Sequence, residues 1–401
     1  MPKTLVKMEI KNYFVSVITI VQNFKFILGG NNSWLIWSFI LTIGFAIFHG
    51  FVTIGFSDHS FFSIVNVVPN IGICVMSCVR VIKMESNKEF YFLLFRYFRY
   101  DFWISYDTVI DHNLHIIKTY AYVNKMIIKL YIYIFLVVNA MPWLVSEYEY
   151  TVLGKDWVYR SPHDLWYPFE KHQHFTAIYL YEFLLTTFGG LALSIGDIIC
   201  LFGLVNICLE CKVLSYCFRE LITESDVKNI ENDENAAETH ANIKERLRDL
   251  ILKHEALSSL CNQFGSIYHQ VFFFSYVFGF VFISLTFNDI YIRMRYFILF
   301  WAITISCFHL CLMGQVLIDH SIEMSEAIYF SNWFHGDEST KRTLLVLIIH
   351  FQRPFTLNAK GFGVNTVMNL EAFTNVSYTF TIVTNMYIYT SFTTTDIYHG
   401  L

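Results

Sequence analysis

The chain has 401 residues, 55% hydrophobic and only 15% charged, with a formal net charge of -5 and heavy use of Phe (41) and Tyr (25). Soluble proteins carry about 25% charged residues, so a water-soluble domain of this size is excluded, since too little polar surface exists to cover it. Collagen, disordered chain, small disulfide scaffold and nucleic-acid binder are excluded by the same figures, leaving an all-α, polytopic membrane protein.

The segment 1–33 is punctuated by Lys3, Lys7, Lys11 and Lys25, and no small-residue cleavage site follows its apolar run at 13–21. It reads as a cytoplasmic segment with a short interfacial helix, not a secretory signal. A spanning helix needs about 20 mainly apolar residues. Seven such stretches follow, at 34–56, 61–82, 126–145, 176–207, 264–287, 296–318 and 367–389. The second contains Pro69 and ends near Arg80, and a kink is expected at the proline. Residues 83–125 mix charge with aromatics, and 224–240 read as an acidic mobile loop. Residues 242–261 read as a helix whose apolar face carries Ile243, Leu247, Leu250, Ile251 and Leu257, running on into the fifth span as a stalk. That face requires a cover, from either the last cytoplasmic segment or a second subunit. Residues 344–351 are too short to span and read as a buried cytoplasmic helix.

With the N-terminus inside, inner segments hold about 21 of the 28 Lys and Arg residues, and outer segments hold about 5. The positive-inside rule therefore places the N-terminus in the cytoplasm and the C-terminus outside, the reverse of a G-protein-coupled receptor. None of the nine cysteines then falls in an outer loop, so no disulfide framework is implied.

Signatures of catalysis are missing. There is no G-x-S-x-G elbow, H-E-x-x-H, Walker loop or G-x-G-x-x-G opening a helix. The pairs Cys208/Cys211, His112/His115 and His172/His174 lack further ligands at matching spacing, so neither metal nor cofactor is implied. Glu182 and Asp197 are the main acidic residues inside spans, and a structural pairing of Asp197 with a partner helix is favoured over catalysis.

On a helical wheel of the seventh span, Thr374, Ser377, Thr381, Thr384 and Asn385 share a wedge of about 100°, opposite Val376, Phe380, Val383, Met386 and Tyr387. Such a stripe either lines a pore, which one helix cannot enclose without an oligomer, or hydrogen-bonds to neighbouring helices. The pore-lining candidates are Ser377, Thr381, Thr384 and Asn385. The outer halves of the other spans are aromatic. They suit either an apolar ligand cavity with polar handles or an interfacial belt. The ligand-binding candidates are Phe62, Asn66, Asn139, Trp143, Tyr179, Phe183, Phe297 and Trp301.

From Glu326 to Tyr378 the chain resembles the insect odorant receptors. The resemblance is carried by Glu326-Ala327-Ile328-Tyr329, Ser331-Asn332-Trp333, Lys341-Arg342, Gln352-Arg353-Pro354-Phe355-Thr356-Leu357, Ala359-Lys360-Gly361-Phe362 and Ser377-Tyr378. The stretch Leu165-Trp166-Tyr167-Pro168-Phe169 is similar to that family's second outer loop. The resemblance implies a tuned subunit of a ligand-gated, non-selective cation channel in the plasma membrane of an olfactory neuron dendrite. Its partners would be the odorant co-receptor in a heterotetramer, a volatile odorant and membrane lipid, with no nucleic acid. The last span would line the pore, and the cytoplasmic ends of the fourth to seventh spans would form an anchor between subunits. The odorant would sit in the outer half, between the second, third, fourth and sixth spans.

The implied division is 1–33 cytoplasmic segment, 34–207 first four spans with the pocket, 208–263 cytoplasmic loop and stalk, 264–318 fifth and sixth spans, 319–364 anchor segment, and 365–401 pore helix with a short tail. Two departures stand out. Thr381 and Asn385 occupy pore positions that are often aliphatic in the family, so the hydrophobic gate would come mainly from the co-receptor. A tail of 23 residues follows Tyr378. A gustatory-like homomeric channel and a transporter with a midplane site at Glu182 and Asp197 are the alternatives. The last span lacks the gustatory pattern.

Overall fold

The computed structural model describes residues 33–56, 61–96, 107–152, 154, 165–169, 173–232, 235–288, 297–359 and 363–364. The architecture is all-helical. In chain order it comprises α1 Ser33–Phe56, α2 Phe61–Ser86, α3 Lys88–Arg96, α4 Asp107–Thr151, α5 Phe175–Arg219, α6 Glu224–Glu231, α7 Ala236–Asn288, α8 Phe297–Tyr329 and α9 Glu338–Phe351. A two-residue antiparallel pair, Asn358–Ala359 with Gly363–Val364, follows α9 and is too small to form a layer. Five of the described helices are long and apolar enough to cross a membrane. The seventh expected span lies outside the described residues.

Central to the bundle is α5, which packs against α4, α8 and α2, while α2 also meets α1 and α7. The helices outrun the apolar windows of the sequence. α4 starts at Asp107, well before residue 126. Ile117, Ala121, Asn124, Ile128 and Tyr131 are buried along one stripe at helical spacing, so its early turns are held by packing on one face. α7 runs unbroken for 53 residues, joining the charged stalk to the stretch expected as the fifth span. Its Ile243, Leu247, Leu250 and Leu257 are buried in the main core beside Phe218, Leu344, Phe351 and Leu357 of the same chain. The expected cover is thus supplied by the end of α5 and the last segment.

Two expectations are corrected. The segment 224–240 is not a loop throughout, because α6 forms within it. Thr223 caps α6 in a reciprocal box with Asp226, and Arg246 of α7 holds the Asp226 carboxylate at 2.8 Å. The helix containing residues 344–351 is not buried, since only Thr340, Leu344 and Phe351 of α9 are. Leu345, Val346 and Ile349 stand exposed, at 46%, 66% and 68%.

Candidate functional site

The bundle has a loop end, where residues 165–169 lie, and a stalk end, where the charged half of α7 lies. At the loop end the short segment is strapped to α1 and α5. The His49 Nε2–H donates to the Trp166 carbonyl at 2.7 Å, and the Trp166 N–H donates to the Thr53 hydroxyl at 3.1 Å. With that proton on Nε2, the Nδ1 of His49 accepts from the Tyr181 hydroxyl at 3.4 Å. Trp166 stacks on Phe56 at 5.0 Å, and Leu165 is buried with Ala46 and Leu185. The Tyr167 hydroxyl donates to Glu182 at 3.0 Å, and Glu182 is 1% exposed. Glu182 therefore holds the strap down.

Along the same first turns of α5, three aromatic rings lie at helical spacing. Phe175 stacks on Tyr179 at 6.5 Å, and Tyr179 stacks on Phe183 at 6.0 Å. One helical turn below, the Thr187 hydroxyl donates to the Asn139 carbonyl oxygen at 3.0 Å, while the Asn139 amide donates to its own helix at Phe135. Gly190 makes the close approach possible, because a Cβ there would lie 3.3 Å from the Phe135 ring. α4 and α5 thus present aromatic faces and one amide–hydroxyl pair, which suits a mostly apolar ligand with one polar group.

Of the eight ligand candidates, Asn139, Tyr179 and Phe183 fall on these facing surfaces, and Trp301 sits on α8 with 48% of its surface exposed. Phe62 and Asn66 lie in the first turns of α2, Trp143 near the end of α4, and Phe297 opens α8. The side chains of those four lie outside the described residues. So do all of the pore candidates, Ser377, Thr381, Thr384 and Asn385. Thr187, Gly190 and Phe135 were missed by sequence reasoning, as were His49 and Thr53. A polar residue or glycine inside an apolar span was the available signal.

The stalk end is dense and ionic. Lys212 of α5 pairs with Glu323 of α8, and the Glu323 carbonyl accepts from Ser215 at 3.2 Å. Lys244 of α7 pairs with Asp337, the N-cap of α9, at 2.6 Å. That lysine, with Thr340, holds the Asp337 carboxyl down at about 2. The His254 ring lies tilted on Phe351 at 4.1 Å and stacks on Phe355 at 5.5 Å. Burial, followed by the neighbouring His350, pushes His254 down to about 4. Among the described residues, no group of three or more His, Cys, Asp or Glu is placed to hold a metal ion. All nine cysteines are free, Cys208 and Cys211 included.

A model of the 7tm odorant receptor family matches residues 105–380. The chain belongs to the insect odorant receptor family. It is 21% identical over 233 residues to Odorant receptor 24a of Drosophila melanogaster, covering 56% of each chain. It is 30% identical over 104 residues to Odorant receptor 22a of the same fly, covering 23% of this chain and 25% of that one. The aligned part thus spans about half the length, or less, of these odorant receptor relatives. The fold matches over almost the whole chain. The olfactory receptor OR5 of the insect Machilis hrabei, solved with eugenol, superimposes with a TM-score of 0.75 at 14% identity, covering 94% of this chain and 98% of that one. The same receptor solved in a second structure gives a TM-score of 0.77. The odorant receptors are receptors of the seven-transmembrane type and not enzymes, and this chain is a multi-pass membrane protein of that fold.

Proposed function

We propose that this chain is the odorant-binding subunit of a heterotetrameric, ligand-gated, non-selective cation channel, completed by the odorant co-receptor in the plasma membrane of an olfactory neuron dendrite. The loop end then faces outside and the stalk end the cytoplasm, as the Lys and Arg bias favours. The carrying observation is the exposed apolar face of α9, with Leu345, Val346 and Ile349 turned away from the chain's own core. A face of that kind beside a closed, ionic stalk end supports contact with another subunit. An oligomer is also what the polar stripe at Ser377, Thr381, Thr384 and Asn385 needs to enclose a conduit.

In this reading a volatile, mostly apolar molecule enters beneath the strap and rests on the Tyr179–Phe183 ladder. The Asn139–Thr187 pair offers it one hydrogen bond. Binding favours the open state only by the difference in affinity between open and closed forms. Asn385→Leu tests the pore assignment. Reduced current or altered cation selectivity, with normal surface assembly, is expected, and unchanged permeation would count against it.

A further inference from the structure

Below the pocket, at the middle of the bundle, four helices meet at one buried ionic knot. Arg80 of α2 donates through one Nη2 to Asp197 of α5 at 2.6 Å and to Ser275 of α7 at 3.2 Å. The second Asp197 oxygen accepts from Ser306 of α8 at 2.6 Å. The two charged side chains are only 4% and 8% exposed. Gly196 makes room for the arginine stem, since a Cβ there would sit 2.6 Å from the Arg80 Cδ. Five residues on four helices are thus matched to one another. Charge inside a spanning bundle is costly, and its retention points to a task.

The position of the knot suggests that task. Asp197 follows Gly190 on α5 by about two turns, roughly 10 Å along the axis. α5 carries the Tyr179–Phe183 ladder of the proposed pocket, and Ser275 lies on α7, whose other half is the stalk. We propose that Arg80 and Asp197 are positioning residues: their shared ion pair fixes the spacing of four helices, so that a displacement in the pocket is passed to the stalk. This inference rests on the reading of the chain as a ligand-gated subunit. Both acceptors are held through Nη2 alone, and the guanidinium carries that nitrogen on a rigid planar group, which the flexible stem of an ammonium does not.

The test uses the chain co-expressed with the odorant co-receptor, and a mixture of ethyl butyrate, linalool, 1-hexanol and benzaldehyde as the probe. Replacing both charges by apolar groups, Arg80→Met with Asp197→Leu, removes the knot without stranding a buried charge. The paired variant is expected at the surface in wild-type amount, with a half-maximal concentration raised about tenfold, within the usual range of coupling between sites. Arg80→Lys keeps the charge and loses the rigid planar group, and is expected to shift the same value by a smaller factor. Wild-type sensitivity and maximal current in the paired variant would overturn the proposal, leaving a structural pair only. Failure of both variants to reach the surface would overturn it too, since the pair would then serve folding. A wild-type complex that is silent although the mixture raises its melting temperature would contradict the channel reading itself. The knot is then judged on the purified complexes: the mixture raises the melting temperature of the wild type, and most of that rise is lost in the paired variant if the proposal holds, or kept if it does not.

Discussion

The two halves of α5 are both apolar, yet they sit in opposite surroundings. From Ile195 to Ser215 every residue except Lys212 is buried, whereas from Phe175 to Leu184 only Ile178 and Glu182 are. The second half is the axis of the main core, ringed by Phe264, Phe272, Leu310, Leu317 and Ile328. The first half spends its rings on one another and on the strap. Hydropathy does not separate these uses, because a ring facing a ligand and a ring facing a core are equally apolar. The difference is one of neighbours: the stalk half is specified by close packing, and the loop half leaves surface for something else.

Four substitutions and conditions break or sharpen this contrast. The largest effect is expected from Asp197→Asn, which strands the buried Arg80 guanidinium; breaking such a pair costs about 3–5 kcal/mol. Surface amount and detergent melting should fall sharply, and adding Arg80→Met should recover much of the loss. Next come two leucines of α5 that differ only in surroundings. Leu214 is 1% exposed and Leu184 is 40% exposed. Leu214→Ala should cost about 3 kcal/mol and Leu184→Ala about 0.5 kcal/mol or less, by the cavity rule for cores and the usual tolerance of surfaces. Equal melting losses would contradict the division of α5.

The third effect concerns pH at the stalk end. His254 is held neutral down to about 4, while an unfolded histidine protonates near 6.5. Between those values the unfolded chain binds a proton that the folded chain does not, so stability rises with pH across that window and is level above it. Melting the complex from pH 4.5 to 7.5 should show this slope, and His254→Phe should flatten it. The smallest effect is Asp337→Ala. It removes the N-cap of α9 and costs about 1 kcal/mol, while the partly exposed Lys244 pair adds little. Faster hydrogen exchange in the first turn of α9 alone is the expected sign.

Much of the fold was legible because spans need long apolar runs. The first span agrees with α1 to within a residue, and the stalk's continuity into the fifth span followed from the one-sided spacing of Ile243, Leu247, Leu250 and Leu257. The early turns of α4 were hidden, since a helix buried along a single stripe contains too many polar residues to pass as a span. α6 was hidden by acidic composition, although Thr223 and Asp226 had the spacing of a capping box. In the proposed pocket, Asn139 and the rings of α5 are the members that sequence reading singled out, as polar or aromatic residues in outer spans. Thr187 and Gly190 were not, because their importance lies in which residue of α4 they meet. Asp197 was legible as a residue needing a partner, but its partners Arg80 and Ser306 are fixed only by the three-dimensional register of three helices.

The most direct test of the account is voltage-clamp recording from cells expressing this chain with and without the odorant co-receptor, challenged with volatile esters, terpenes, alcohols and aromatics. The account predicts a fast cation current that needs both subunits. A current of the same size from this chain alone, or none from the pair despite both chains at the surface across the whole range of volatiles, would contradict it.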